Sequence, residues 1–476
     1  MPDETNNDFA ATAGITVWED DPASGTLTTA PLPDITKPPF VYEFDVAEPP
    51  RSDQTGTAEF RYWNAAEVLR RSVDFWEPKL GNRWQCGDIL GVNLDRWEEL
   101  NADYNRTSLN FYHRTLPDQT VVYTGASPDT LSHELGHAIL DTMKPDLWDR
   151  GVPEIAAFHE SFGDMNAILS ALQLPSLRTS IVAETQGRLY CNSRLTRLAE
   201  QFGITLHGED AHLADANCLR NAWNGFNYCD PFSLDPEELT SSLSSNPHSF
   251  SRIFTGALFE ALCTFLDYHA ADSNAPTPDE LLHVSVQMRD FIAAGVSRST
   301  AVTYYFAEVA RRMVEESAPI DAQCSAILLD IFVRRLILSG ETAAAIRSRQ
   351  SASGITAVNP EEPSPLSELV AVSIPALQAG LGEPLLVDAG ARTSSFIARS
   401  AGPDGRSLEP ASPEAAAAAF VSELFANDQI DPSIYSSRDT ILPDKQDSRT
   451  HMIVREENGL RLRRRLFHCG TCDRRT

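Results

Sequence analysis

The chain has 476 residues, which at about 150 residues per domain is length for roughly three domains and ample for a large core. Hydrophobic residues make up 42% and charged residues 22%, a globular composition that argues against wholesale disorder. Acidic residues outnumber basic ones 67 to 39, a net charge of −28, which argues against a general nucleic-acid or anionic-membrane binder that needs a basic face.

No uninterrupted apolar run approaches the 18 or so residues of a membrane span. The first basic residue is Lys37, and seven acids precede it, so the start does not read as a secretory signal. A cytoplasmic protein is expected, with export by another route as the alternative. Eight cysteines are too few for a disulfide-built scaffold, and reduced thiols are the default. Cys191, Cys218 and Cys229 could bridge the polar stretch in which they lie.

Residues 1–55, rich in Pro, Thr and Asp with β-like fragments such as Phe40-Val41-Tyr42-Glu43-Phe44, read as an extended leader wrapped on the surface or partly disordered. A helix is expected from near Thr57, with Val68, Leu69, Val73 and Phe75 as apolar positions and Pro78 and Gly81 as its end. Short strands follow at 109–112 and 120–123. Two helices come next, from Asp129 to about Met143, where Pro145 stops the first, and from about Pro153 to Leu172. Residues 175–247 read as irregular. Further helices are expected at about 251–268, 278–294, 298–317 and 321–339. Residues 346–412, rich in Pro, Ser, Gly and Ala, read as a linker or a loosely built extension. A short Ala-rich helix (414–426) and a hairpin turning at Asn458-Gly459 complete the chain. The division is thus a leader (1–55), a mixed N-terminal lobe ending in the 129–143 helix (56–145), a helical lobe (146–345), and a linker with a C-terminal extension (346–476).

The chemistry is concentrated at His133-Glu-Leu-Gly-His137. A helix places residues i and i+4 on one face, so both imidazoles can hold one metal ion, and Glu134 lies near enough to reach a water on it. A hydrolytic zinc site wants a third protein ligand and one open position. A histidine six residues after His137 is excluded, because that position is Met143. Glu154, His159 and Glu160 remain, and Glu160 is favoured. It opens Glu160-Ser-Phe-Gly-Asp164, where one carboxylate can bind metal and the other can accept a proton from the far nitrogen of a ligand histidine.

These segments, SHELGHAILD (132–141) and HESFGDMNAIL (159–169), together with NPHSFSRIFTGAL (246–258), resemble the thermolysin-like zinc metallopeptidases, the glutamate-zincin or gluzincin group. The likeness covers about residues 57–320. It implies an α+β fold with the zinc in a cleft between two lobes, and one Zn2+ on His133, His137 and Glu160. It implies Glu134 as general base and His248 as a catalytic donor to the oxyanion. Asp164 and Asp129 would support the ligands, and Asn110, on an edge strand, and Arg220 would hold substrate. The chain also departs from the family pattern. No Ala follows Asn110, no Tyr lies between His137 and Glu160, and no Asp stands five residues before His248. Ala171 occupies the place of a calcium-binding Glu, so calcium is not expected there.

The expected function is therefore that of a zinc-dependent endopeptidase acting on peptide or protein substrates, a metalloprotease and hydrolase. The rival is a weak or inactive protein of the same fold that keeps the metal and works by binding. Cys469-Gly-Thr-Cys472 is a lone pair, short of the four ligands of a closed zinc knuckle. Residues 449–476 hold eight Arg against three acids. They either dock on the protein's own acidic surface or meet a partner.

Overall fold

The computed structural model describes residues 14–81, 84, 89–236, 238–352, 369–372, 381–391, 396–436 and 449–469. Cys86, Cys472, the first 13 residues of the expected leader and much of the expected linker lie outside the described residues. The architecture is mixed α+β.

The leader differs from its expectation. Strands β1 (Gly14–Trp18) and β2 (Leu27–Pro31) form an antiparallel hairpin with Val17 fully buried. Strand β3 (Phe40–Tyr42) joins a sheet with residues some fifty positions later in sequence. This strand falls on the β-like fragment read at 40–44, and its partner lies far along the chain. Helix α1 (Ala58–Leu80) starts where Thr57 accepts a hydrogen bond from the Phe60 N–H, and Gly81 ends it at φ +63°. Pro78 sits inside the last turn.

Strands β4 (Leu90–Asn93), β5 (Ala102–Tyr104) and β6 (Ser108–Phe111) follow, then a hairpin of β7 (His113–Thr115) and β8 (Val121–Tyr123). Helix α2 (Pro128–Met143) is capped by Ser127 with Pro128 in its first turn, and helix α3 (Pro153–Ala171) is buried over nearly its whole length.

Residues 175–247 are not wholly irregular. They contain α4 (Pro175–Glu184), α5 (Glu200–Glu209) and the paired strands β9 (Arg197–Leu198) and β10 (Arg220–Asn221). Each helix buries one pair at i and i+4, Leu177 with Ile181 and Phe202 with Leu206, too sparse a stripe to stand out among polar neighbours. Helices α6 (Pro247–Phe250), α7 (Arg252–His269), α8 (Pro278–Arg298), α9 (Tyr305–Ser317), α10 (Ala322–Arg334) and α11 (Gly340–Ala352) build the helical part. Pro247–His269 is long and apolar enough to cross a membrane by composition, but 83% of its apolar window is buried among these helices.

The C-terminal extension has its own core. Strands β11 (Leu369–Val372) and β12 (Leu385–Asp388) lie within the expected linker, and α12 (Pro413–Ala426) is the Ala-rich helix. With β13 (Ile430–Ser436), β14 (His451–Glu456) and β15 (Gly459–Arg464) they give a sheet of order β11-β12-β15-β14-β13. The β14–β15 hairpin is as expected, but Glu456 pairs with Gly459, so the turn residues are Glu457 and Asn458. The chain then leaves this sheet. Strand β16 (Phe467–His468) crosses to the other one, whose order is β16-β5-β6-β4-β3, and Phe467 and Cys469 join the main core. All six cysteines of the described residues are free, so no bridge joins Cys191, Cys218 and Cys229.

Candidate metal centre

The site forms where α2 and α3 cross, and two glycines set how closely. A Cβ on Gly136 would lie 2.7 Å from the Gly163 Cα, and one on Gly163 would lie 2.8 Å from His133 Nδ1. The His133 ring therefore rests directly on the backbone of α3. Asn166, one helical turn after Phe162, locks the crossing: its amide donates to the Ser132 carbonyl, and its oxygen accepts from Trp76 Nε1 of α1 (2.7 Å).

This approach brings the expected ligands together. His133 Nε2 is 3.3 Å from Glu160 Oε2, and His137 Nε2 is 3.7 Å from Glu160 Oε1. All three side chains are buried, and their ligand atoms lie within 4.8 Å of one another. Neither Nε2 nor Glu160 Oε2 has a hydrogen-bond partner. Buried polar atoms left without partners are costly unless something else satisfies them. Two imidazole nitrogens and a carboxylate oxygen facing one point fit a metal ion.

The surrounding groups orient this set. His133 Nδ1 is 3.0 Å from Asp164 Oδ1, which fixes the proton on Nδ1 and turns the Nε2 lone pair inward. Arg220 grips Asp164, with Nη2 donating to Oδ1 (2.7 Å) and Nε to both oxygens (3.1 Å). Burial alone would push the Asp164 carboxyl up; Arg220 and His133 outweigh it and hold it below its ordinary value. Glu160 is likewise held well below, because His248, His137 and His133 overcome its burial. Burial pushes Glu134 up to about 8, and neither of its oxygens has a hydrogen-bond partner.

The two other candidates for third ligand point elsewhere. Glu154 accepts from Tyr228 Oη (2.6 Å) and the Phe306 N–H (2.8 Å), and His159 stacks on Phe467. Asp129 does not reach a ligand histidine; its Oδ2 accepts from the Ala199 N–H (2.9 Å), beside the buried Asp20, Asp21 and Glu200. Arg220 is committed to Asp164. His248 lies at the site, with Nε2 3.4 Å from Glu160 Oε2. Asn246, two residues earlier, caps its helix and stands 3.2 Å from Nδ1, supplying the neighbour absent five residues upstream.

Asn110 is misplaced by the sequence reading. It sits on β6, paired on both sides, with its side chain bonded to Asp103 and Ser108. The strand of this sheet that packs on α2 and pairs with β16 is β5, which is preceded by Asn101 and begins with Ala102. Cys469, read from the sequence only as half of a lone pair, stands beside these residues. Its Sγ lies within 4.8 Å of ligand atoms of His133 and Glu134. A further group of His269, Asp321 and Cys324 lies at the end of α7 and the start of α10, where His269 Nε2 already meets Gln287 (3.1 Å).

One wall of the pocket beside Glu160 and His248 is made by the extension, through Phe420, Arg464, Phe467 and His468. Neither the protein-family models nor the curated proteins give a match to the chain.

Proposed function

We propose that the chain is a zinc-dependent endopeptidase of thermolysin-like fold. The observation that carries this is the convergence of buried His133, His137 and Glu160, whose two Nε2 atoms and Oε2 have no hydrogen-bond partner, with Glu134 on the same helix turn. Two nitrogens, one oxygen and an open fourth position are the donor set of hydrolytic zinc. Bound there, zinc supplies a water of lowered pKa and polarises the scissile carbonyl. Glu134 accepts the proton of the attacking water at its carboxylate and passes it to the leaving amine. His248 donates from Nε2 to the oxygen that becomes negative. Asp164, held by Arg220, keeps His133 in the tautomer that offers Nε2. An extended substrate would pair with the edge of β5 on which β16 lies in this structure.

Glu134→Gln tests this reading. The amide keeps the shape but cannot accept the proton. Zinc content by elemental analysis should stay at one per molecule, while cleavage of a quenched peptide library falls about 10²–10⁴-fold. Peptide cleavage that survives both the substitution and a chelator would refute the mechanism. Bound zinc with no cleavage in any form of the chain would favour the rival, a binding protein that keeps the metal.

A further inference from the structure

We propose that Cys469 is a fourth, closing ligand of the metal site, and that the C-terminal strand carrying it is an internal latch. The inference rests on the metal-site reading above and adds a state in which that site is shut.

The backbone comes first. Strand β16 adds to the outer edge of β5 in antiparallel register, Phe467 opposite Tyr104 and His468 opposite Asp103. The Cys469 N–H then donates to the Ala102 carbonyl (3.0 Å). This is the way an extended peptide occupies a sheet edge, so the tail holds the track a substrate needs.

The side chains do the rest. Phe467 stacks on His137 (4.8 Å between centroids) and His159 (4.1 Å), filling the space above the ligands. The His468 carbonyl accepts from His248 Nε2 (2.7 Å), so the group assigned to the oxyanion is already engaged. Cys469 is 4% exposed, and its Sγ stands among His133 and Glu134. The strand is delivered by fixed contacts rather than by a loose arm. Trp148 Nε1 donates to the Arg464 carbonyl (3.2 Å), the Arg464 N–H donates to Asp149 (3.1 Å), and Arg463 pairs with Asp149 (2.6 Å).

Four observations thus meet around His133: a thiol within 4.8 Å of its ligand atom and of Glu134, the three-ligand group to which His133 also belongs, an occupied donor and a paired edge. A metal ion with two imidazoles, a carboxylate and a thiolate has the four protein ligands of a closed site and no position for water. The thiol binds as thiolate, and its proton leaves to solvent.

The test uses the full chain loaded with Co2+, read by its near-ultraviolet thiolate-to-cobalt absorption. The wild type should show the band at one cobalt per molecule. Cys469→Ser should keep the cobalt and lose the band, whereas Cys324→Ser keeps both. A latch closed in 90–99% of molecules lowers apparent turnover about 10- to 100-fold, so Cys469→Ser should cleave a quenched peptide faster by that factor. Cobalt bound by the wild type without the band would overturn the latch and leave the metal site standing. Failure to bind any cobalt would remove the metal-site reading and the latch with it. Mass spectrometry supplies a further outcome. Loss of residues 469–476 from the metal-loaded wild type would show that the tail is cut as a substrate, which also overturns the latch.

Discussion

Asp164 connects a charge to a ligand. Its carboxylate stands between the Arg220 guanidinium and His133 Nδ1, and both hold it ionised despite complete burial. Replacing it by Asn leaves Arg220 buried with a neutral partner and lets the amide offer a proton to the wrong nitrogen. Asp164→Asn should weaken metal binding about 10- to 100-fold, read by chelator competition. Glu160→Ala should release the metal far more readily than Glu154→Ala, because it removes the anionic member of the buried ligand set. A Glu154→Ala chain that comes free of metal while Glu160→Ala holds it would reverse the ligand assignment. Glu154 spends its oxygens on Tyr228 and Phe306, so its expected cost is in stability.

The crossing of α2 and α3 is where sequence and structure agree most closely, and the reason is local. His133 with His137, and Glu160 with Asp164, need only the period of a helix to share a face, and Ser127-Pro128, Pro145 and Pro153 mark the ends. Asn110 failed for the opposite reason. Which strand lies at a sheet edge depends on pairings between distant segments, and β4 entering between β3 and β6 is not written in the residues near 110. Cys469 was equally hidden, because its place depends on a strand from one end of the chain joining a sheet built near the other. The glycines of the crossing give a test at this scale. A methyl group on Gly163 would fall 2.8 Å from His133 Nδ1, and the ring has α3 itself beneath it. Gly163→Ala should cost about 1–3 kcal/mol of stability through overpacking, and should weaken metal binding by displacing the ring. Thermal melts with and without metal separate the two effects. An unchanged metal affinity would show that the ring has room the crossing does not provide.

Over the whole molecule the extension and the site helices are one arrangement. The loop between α2 and α3 is held from outside: the Gly151 N–H donates to the Asp388 carbonyl, Arg150 pairs with Asp388, and Asp149 pairs with Arg463. The basic run of the tail is largely spent within the chain, Arg461 on Asp388 and Arg465 on Asp431. Three buried carboxyls contribute stability that falls as pH rises, because the fold makes them hold their protons more tightly. Burial pushes Glu154 from 4.5 up to about 7, Asp103 from 3.8 to about 6, and Asp129 from 3.8 to about 8. For Glu154 the folded chain binds the proton more strongly than the unfolded chain does between those two values. Its contribution is therefore full below about 4.5, is lost as pH rises to about 7, and is level beyond, with an upper bound of about 3 kcal/mol. Glu154→Gln cannot ionise, so that slope disappears. The variant should lose less melting temperature than the wild type between pH 4.5 and pH 7.5, whatever its stability at either end. Thermal melts across that range check it, and equal slopes in the two proteins would show that Glu154 is ionised in the fold at an ordinary pH.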